Sequence, residues 1–144
     1  MILRDYQTRA VAAVLAEPRS VALVAPTGSG KTAMAMAILK ARPGKAIFLV
    51  HRRELLMQTA AILERAGIRE RVYPCTVQTA VRRATSDDID TVVCDELHHF
   101  SASNTWGAFV SRLPAGARRV GLTATPARAD GASLGHLAEA MVVA

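Results

Sequence analysis

Ala25-Pro26-Thr27-Gly28-Ser29-Gly30-Lys31-Thr32 is the stretch on which the reading of this chain turns. The apolar run Val21-Ala22-Leu23-Val24 precedes it and reads as a buried strand; Ala33-Met34-Ala35-Met36-Ala37-Ile38-Leu39-Lys40 follows it as a helix of strong formers. Strand, glycine-bearing turn and helix, in that order, aim consecutive backbone N–H groups at a phosphate chain. Gly28 and Gly30 admit close approaches that a Cβ would obstruct. Lys31 is then expected to reach the β- and γ-phosphates as a point charge, and the Thr32 hydroxyl to help hold Mg²⁺. Pro26, Thr27, Gly28, Ser29, Gly30, Lys31 and Thr32 thus form the expected binding loop for a nucleoside triphosphate.

With 144 residues the chain has the length of about one domain. Half of the residues are apolar (51%), which suits a globular core rather than disorder. No apolar run approaches the roughly 20 residues of a membrane-spanning helix. The opening Met1-Ile2-Leu3-Arg4-Asp5 lacks a signal-peptide layout, so a cytoplasmic location without membrane association is expected. Two cysteines are too few for a disulfide framework, and Cys94 sits inside an apolar run, as a reduced buried thiol does. The four histidines do not form a metal-binding pattern: His98 and His99 are adjacent, while His51 and His136 stand alone. A net charge of +6 points to a polyanionic partner. Fifteen of the eighteen basic residues are arginine, a bias that phosphate recognition and genome composition explain equally well.

Continuous apolar runs recur at Val21–Ala25, Ala46–Val50, Thr91–Cys94 and Val120–Leu122. Runs without strict alternation belong to strands covered on both faces, as in a parallel sheet. Between them, Asp5–Leu15 carries Tyr6, Ala10, Val11 and Val14 on one helical face, and Arg53–Ala66 does the same through Leu55, Leu56, Ala60 and Leu63 before Gly67, a helix stop. Val77–Ala84 and Trp106–Leu113 are shorter helix candidates, and Ala140–Ala144 is either one more strand or an end. The expected fold is α/β: a doubly wound, mainly parallel sheet with helices on both faces, in a single domain.

A phosphate loop alone leaves kinases, GTPases, ATPases and motors open. Asp95-Glu96-Leu97-His98 narrows the choice, because the acids follow the run Thr91–Cys94 and so emerge at a strand's carboxyl end, where open α/β sheets place ligands. Asp95 is expected to hold Mg²⁺ through water, and Glu96 to polarise the water that attacks the γ-phosphate. A solvated acidic turn is the plain alternative for such a pair; the phosphate loop upstream favours the metal and hydrolysis roles.

From these two motifs outward the chain resembles the first RecA-like motor lobe of the superfamily-two helicases and translocases, in their DEAH-like (DExH) branch. Leu3-Arg4-Asp5-Tyr6-Gln7 resembles the adenine-reading motif, with Gln7 as reader and Arg4 beside the base; an amide side chain both donates and accepts, as adenine's edge requires. Val50-His51-Arg52-Arg53-Glu54-Leu55 resembles the family's motif Ia and Thr76-Val77-Gln78-Thr79 the next motif that touches the nucleic-acid backbone. The resemblance implies nucleic-acid contacts at Arg52, Arg53 and Thr79, although a solvated helix start accounts for the two arginines equally. Leu122-Thr123-Ala124-Thr125-Pro126 resembles motif III, implying that Thr123 and Thr125 couple the ATP site to the track, with His98 taking part. Ala127-Arg128-Ala129-Asp130-Gly131 resembles the tail that follows motif III in phage-type and restriction-enzyme-like helicases. Leu97 stands where Ala is common in the family, and an apolar residue there is expected to pack.

The resemblance covers Leu3 to about Gly131 and implies a second RecA-like lobe, whose arginines complete the ATP site. Nineteen residues after Thr125 are too few for that lobe, so the chain is expected to be an excised lobe or a half-motor that takes its partner in cis or in trans. The function implied is the ATP·Mg²⁺-binding lobe of a nucleic-acid-dependent ATPase, with DNA favoured over RNA. Its rival is a non-hydrolysing nucleotide-dependent module that docks to other macromolecules. A P-loop small-molecule kinase explains neither the basic bias nor Thr123-Ala124-Thr125.

Overall fold

Val21–Val24 forms strand β1 and is buried at all four positions, as a strand covered from both sides must be. The computed structural model describes residues 3–26, 30–82, 88–97, 104–124 and 138–144. Among them β1 is joined by β2 (Lys45–Val50), β3 (Val72–Thr76), β4 (Ile89–Cys94), β5 (Arg118–Thr123) and β6 (Ala140–Val143). They form one six-stranded sheet in the order β3-β2-β4-β5-β1-β6, and every pairing is parallel. Helix α1 (Asp5–Ala16) precedes β1, and the crossovers contain α2 (Lys31–Ala41), α3 (Leu56–Arg65), α4 (Val77–Arg82) and α5 (Asn104–Ser111). This is the doubly wound α/β architecture expected from the sequence.

Strand periodicity divides the core in two. Leu23, Phe48 and Val93 face one side, where they meet Val14 of α1, Met34 and Ile38 of α2 and Leu63 of α3. Their neighbours Ala22, Leu49 and Val92 face the other, against Ala80 of α4 and Trp106 and Phe109 of α5. Both cysteines are buried and unbridged, and burial pushes the Cys94 thiol far up. No helix among the described residues is long and apolar enough to cross a membrane.

Two elements depart from the sequence reading, and a third resolves an alternative it left open. Strand β3 gives no clear strand signal because Val72-Tyr73-Pro74-Cys75-Thr76 holds a proline and an exposed tyrosine; as the outermost strand it tolerates both, an edge being where a missing N–H is harmless. The helix expected from Arg53 opens instead as a 3₁₀ turn over Arg53–Leu55, and α3 begins at Leu56. The terminal apolar run is a strand: β6 pairs with β1 along its length. At the end of α3 the expected stop is present, with Gly67 at φ +77°, its N–H on the Glu64 carbonyl and the Ile68 N–H on the Leu63 carbonyl.

Part of the arginine excess closes helix ends. Arg71 donates to the carbonyls of Leu39 (2.8 Å), in the last turn of α2, and of Arg42 (3.1 Å) and Gly44 (3.0 Å), just past it. Arg118 does the same for α1, reaching the carbonyls of Glu17 (2.7 Å) and Leu15 (3.2 Å). Such carbonyls have no partner within the helix and sit at the negative end of its dipole. Arg42 in turn bonds Asp90 and Thr91 of β4, both at 2.9 Å, which ties the α2 terminus to the sheet. We expect Arg71→Met, which keeps most of the stem and removes the donors, to lower stability by about 1.5–3 kcal/mol. Urea denaturation should show the midpoint falling with an unchanged slope.

Candidate functional site

The parallel register aligns the carboxyl ends of the strands. Val24 of β1 lies beside Thr123 of β5, Leu49 of β2 beside Cys94 of β4, and Val50 beside Thr76 of β3. Two backbone bonds extend the ladder past the strands, from Ala25 N–H to the Thr123 carbonyl and from Asp95 N–H to the Leu49 carbonyl, both 2.9 Å. The segment leading to Gly30, the Asp95-Glu96 pair, His51–Arg53 and Val77–Thr79 therefore all leave from one edge. Thr27, Gly28, Ser29, His98 and Thr125 lie outside the described residues.

Gly30 caps the start of α2 in the left-handed region (φ +84°), where L side chains are strained. A Cβ on Gly30 would also overlap the Gln7 carboxamide nitrogen. Gln7 is buried on α1, and its Oε1 accepts from the Arg4 N–H at 2.8 Å, so the side chain expected to read adenine also closes the first turn of its own helix. Lys31 and Thr32 follow as the first residues of α2. The Lys31 ammonium lies 3.3 Å from Glu96 Oε1, with the two side chains 13% and 30% exposed. Glu96 sits at φ +55°, the one described non-glycine residue with positive φ. A backbone in that region costs on the order of 1–3 kcal/mol and persists only where its surroundings impose it.

Burial raises the Asp95 carboxyl above its ordinary value, and the adjacent Glu96 charge adds to the rise; Lys31, the Glu96 backbone N–H and His51 oppose it. A divalent cation against Asp95 would offset both upward causes. No cluster of three or more His, Cys, Asp or Glu that could hold a metal occurs among the described residues. The donor set fits Mg²⁺ nonetheless, since that ion is commonly held by one or two carboxylates, waters and substrate phosphates rather than by an all-protein cage.

Two openings flank Thr32 between α2 and α3. The larger, about 460 Å³, is walled by Leu3, Ala33, Met36, Ala37 and Ile62, with the cations Lys40 and Arg65 also on its lining. Its size falls in the range of small-molecule clefts. Leu3 lines it; Arg4 and Gln7 do not. The smaller, about 70 Å³, brings Thr32 and Asp95 together with Gln58 and Thr59 of α3. Neither α3 residue belongs to the motifs read from the sequence. One signal is present there: Thr59 is a polar residue within the face defined by Leu55, Leu56 and Leu63, and it is buried.

The remaining expected residues divide by exposure. Pro26, Arg52 and Arg53 are exposed, and Met57, in the first turn of α3, is 87% exposed beside them in the chain. Thr79 is part-buried; its N–H and hydroxyl bond the Thr76 hydroxyl at 3.4 and 3.3 Å, capping α4. Thr123 is fully buried at the end of β5.

A family model described as "Type III restriction enzyme, res subunit" matches residues 1–74 and 67–128. The "DNA 3'-5' translocase XPB2" of Sulfurisphaera tokodaii is 32% identical over 143 residues, covering 90% of this chain and 32% of that protein. The "Putative DNA 3'-5' helicase Rad25" of Halobacterium salinarum is 37% identical over 131 residues, covering 75% of this chain and 21% of that protein. The chain thus spans about a third or less of the length of these relatives. Among solved structures, the UvsW helicase from bacteriophage T4 matches with a TM-score of 0.82 at 18% identity, over 100% of this chain and 61% of that one, a likeness of fold.

Gly30→Ala tests the packing of α1 against the start of α2. Its cost has a conformational part, about 1–2 kcal/mol for an L residue held in the left-handed region, and a steric part from Gln7. Thermal melts should show Gln7→Ala recovering only the steric part when added to Gly30→Ala. Full recovery would place the whole cost on the side chain.

Proposed function

The chain belongs to the family described as "Type III restriction enzyme, res subunit", and from that premise we propose that it is the ATP-binding lobe of a DNA helicase or translocase of the DExH type, working in the cytoplasm as a nucleic-acid-dependent ATP hydrolase. One observation carries the proposal: Lys31 and Glu96 face each other at 3.3 Å while Thr32 and Asp95 share a cavity beside them. An ammonium, two carboxylates and a hydroxyl side chain meet where the strands end.

In this reading the Lys31 ammonium leaves Glu96 for the β- and γ-phosphates. Glu96 is thereby released to accept a proton from water as that water's oxygen bonds the γ-phosphorus and the bond to the bridging oxygen breaks. Thr32 and Asp95 would hold Mg²⁺, which supplies charge neutralisation at the β- and γ-oxygens. Arg4 and Gln7 would lie near the base of the nucleotide and Pro26 to Gly30 around its phosphates. Arg52, Arg53 and Thr79 would meet the nucleic-acid backbone, and Thr123, Thr125 and His98 would pass the state of the ATP site to it. DNA is favoured over RNA by the names of the two relatives. A second RecA-like lobe, in cis or in trans, would supply the arginines at the γ-phosphate.

Calorimetry tests the phosphate loop. Lys31→Ala removes a charge-assisted contact worth about 1.5–3 kcal/mol, so ATP affinity should fall about tenfold or more. Glu96→Gln should keep Mg·ATP affinity near the wild-type value while lowering hydrolysis, measured with both lobes present, by roughly 10²–10⁴. Unchanged affinity in a folded Lys31→Ala variant refutes the nucleotide site.

Nucleic-acid binding should be indifferent to sequence and steeply dependent on salt, because the protein's cations would neutralise phosphates. Replacing Arg52 and Arg53 by Ala should flatten the plot of log affinity against log salt concentration by about 0.7–0.9 for each phosphate no longer neutralised. A base-sequence preference that survives high salt would contradict the backbone reading.

A further inference from the structure

We infer that Gln58 is a positioning residue for the metal's water shell: across the small cavity from Thr32 and Asp95, its carboxamide orients a water bound to Mg²⁺ without touching the ion. The inference rests on the proposed nucleotide site and adds to it a group supplied by α3.

The two openings beside Thr32 differ in scale. The groove of about 460 Å³ suits an organic ligand, whereas the cavity of about 70 Å³ is too small for one. A water needs about 10–15 Å³ of such space, so the small cavity has room for a few waters or a hydrated ion. Four polar residues, Thr32, Asp95, Gln58 and Thr59, line it together with the apolar Met36, Phe48, Leu55 and Ile62. The first two are the expected metal pair, so Gln58 and Thr59 share a water-sized space with the residues that would hold the ion.

Mg²⁺ dehydrates reluctantly and keeps several waters. A metal-bound water is a strong donor and needs an acceptor. Asp95 and Glu96 already crowd negative charge at this point, and burial works against that charge on Asp95. A neutral acceptor is therefore better suited than a third carboxylate, and a carboxamide oxygen is one. Thr59 is the weaker candidate: it is short and buried, and a helical threonine hydroxyl lies within reach of a carbonyl one turn back. Gln58 is exposed on α3 and long enough for its amide to line the cavity.

The test titrates Mg²⁺ into the chain with a fluorescent ATP analogue, and repeats the binding measurement in chelator. Outer-shell partners of bound metals are worth about 10–100-fold in metal affinity. Gln58→Leu should therefore raise the Mg²⁺ concentration for half-maximal binding by about tenfold or more, with metal-free nucleotide affinity and thermal melting as in wild type. Gln58→Glu, which keeps an acceptor but adds a third negative charge, should raise the Mg²⁺ midpoint less than Gln58→Leu does, and a midpoint as high as that of Gln58→Leu would overturn the inference. An unchanged midpoint in Gln58→Leu, with Lys31→Ala losing binding in parallel, overturns the inference and leaves the nucleotide site standing. An equal loss with and without Mg²⁺ also overturns it, since that is the mark of a nucleotide contact or a structural role. Wild-type protein that binds no nucleotide at any Mg²⁺ concentration overturns both.

Discussion

Six strands that all run the same way impose one condition on everything else. Each must be followed by a crossover that carries the chain back to the opposite edge before the next can pair. Every strand then delivers its carboxyl end to a single edge of the sheet. The order β2-β4-β5-β1 sets the start of α2 after β1 and the acids after β4 within reach of one another, although Lys31 and Glu96 are 65 residues apart in sequence. Helix α2 crosses from β1 to β2 and faces α3 over the gap in which both openings lie. The sheet does no chemistry, yet each spacing in the site descends from its register.

Within that frame the site concentrates features that an optimally stable protein would avoid. Two adjacent carboxylates stand at a buried strand end, a glutamate occupies a backbone region better suited to glycine, and the first helical turn of α2 begins from a left-handed glycine pressed on a buried amide. Local conflicts of this kind are expected where function rather than stability sets the residue. The Lys31–Glu96 pair relieves one of them, and it does so with the two groups whose proposed tasks require them to part when phosphate arrives.

How much of the fold is legible in the sequence follows burial. Strands β1, β2, β4 and β5 are interior strands, so their apolar runs are continuous and stand out from the sequence by themselves. The two edge strands do not: Pro74 and exposed Tyr73 mask β3, and the alternating half-exposure of β6 leaves Ala140–Ala144 undecided. The turn that opens α2 at Gly30 and the acidic pair at the end of β4 are legible because their signals are local in sequence. Gln58 and Thr59 are not, since their relation to Asp95 exists only once α2 and α3 lie side by side on the sheet. The arginines are legible as charge but not as to use, several of them closing helix ends rather than meeting a partner.

Leu97, in the place where the resembling family commonly has Ala, is buried and lies against the bare backbone of Gly121 on β5. A Cβ at Gly121 would come within 2.8 Å of the leucine's Cγ and Cδ1. The two positions therefore share one allotment of volume, and the histories open to them are ordered. While Leu97 keeps this position, a side chain at 121 forces the leucine to shift, so glycine fits there although its own conformation does not demand it. Once 97 shrinks to Ala, three carbons' worth of space is left empty and Ala at 121 turns from a clash into a repair. Lineages of this lobe should carry the large residue on one side of that contact or the other, and pass between the two arrangements through the loosely packed intermediate rather than the crowded one.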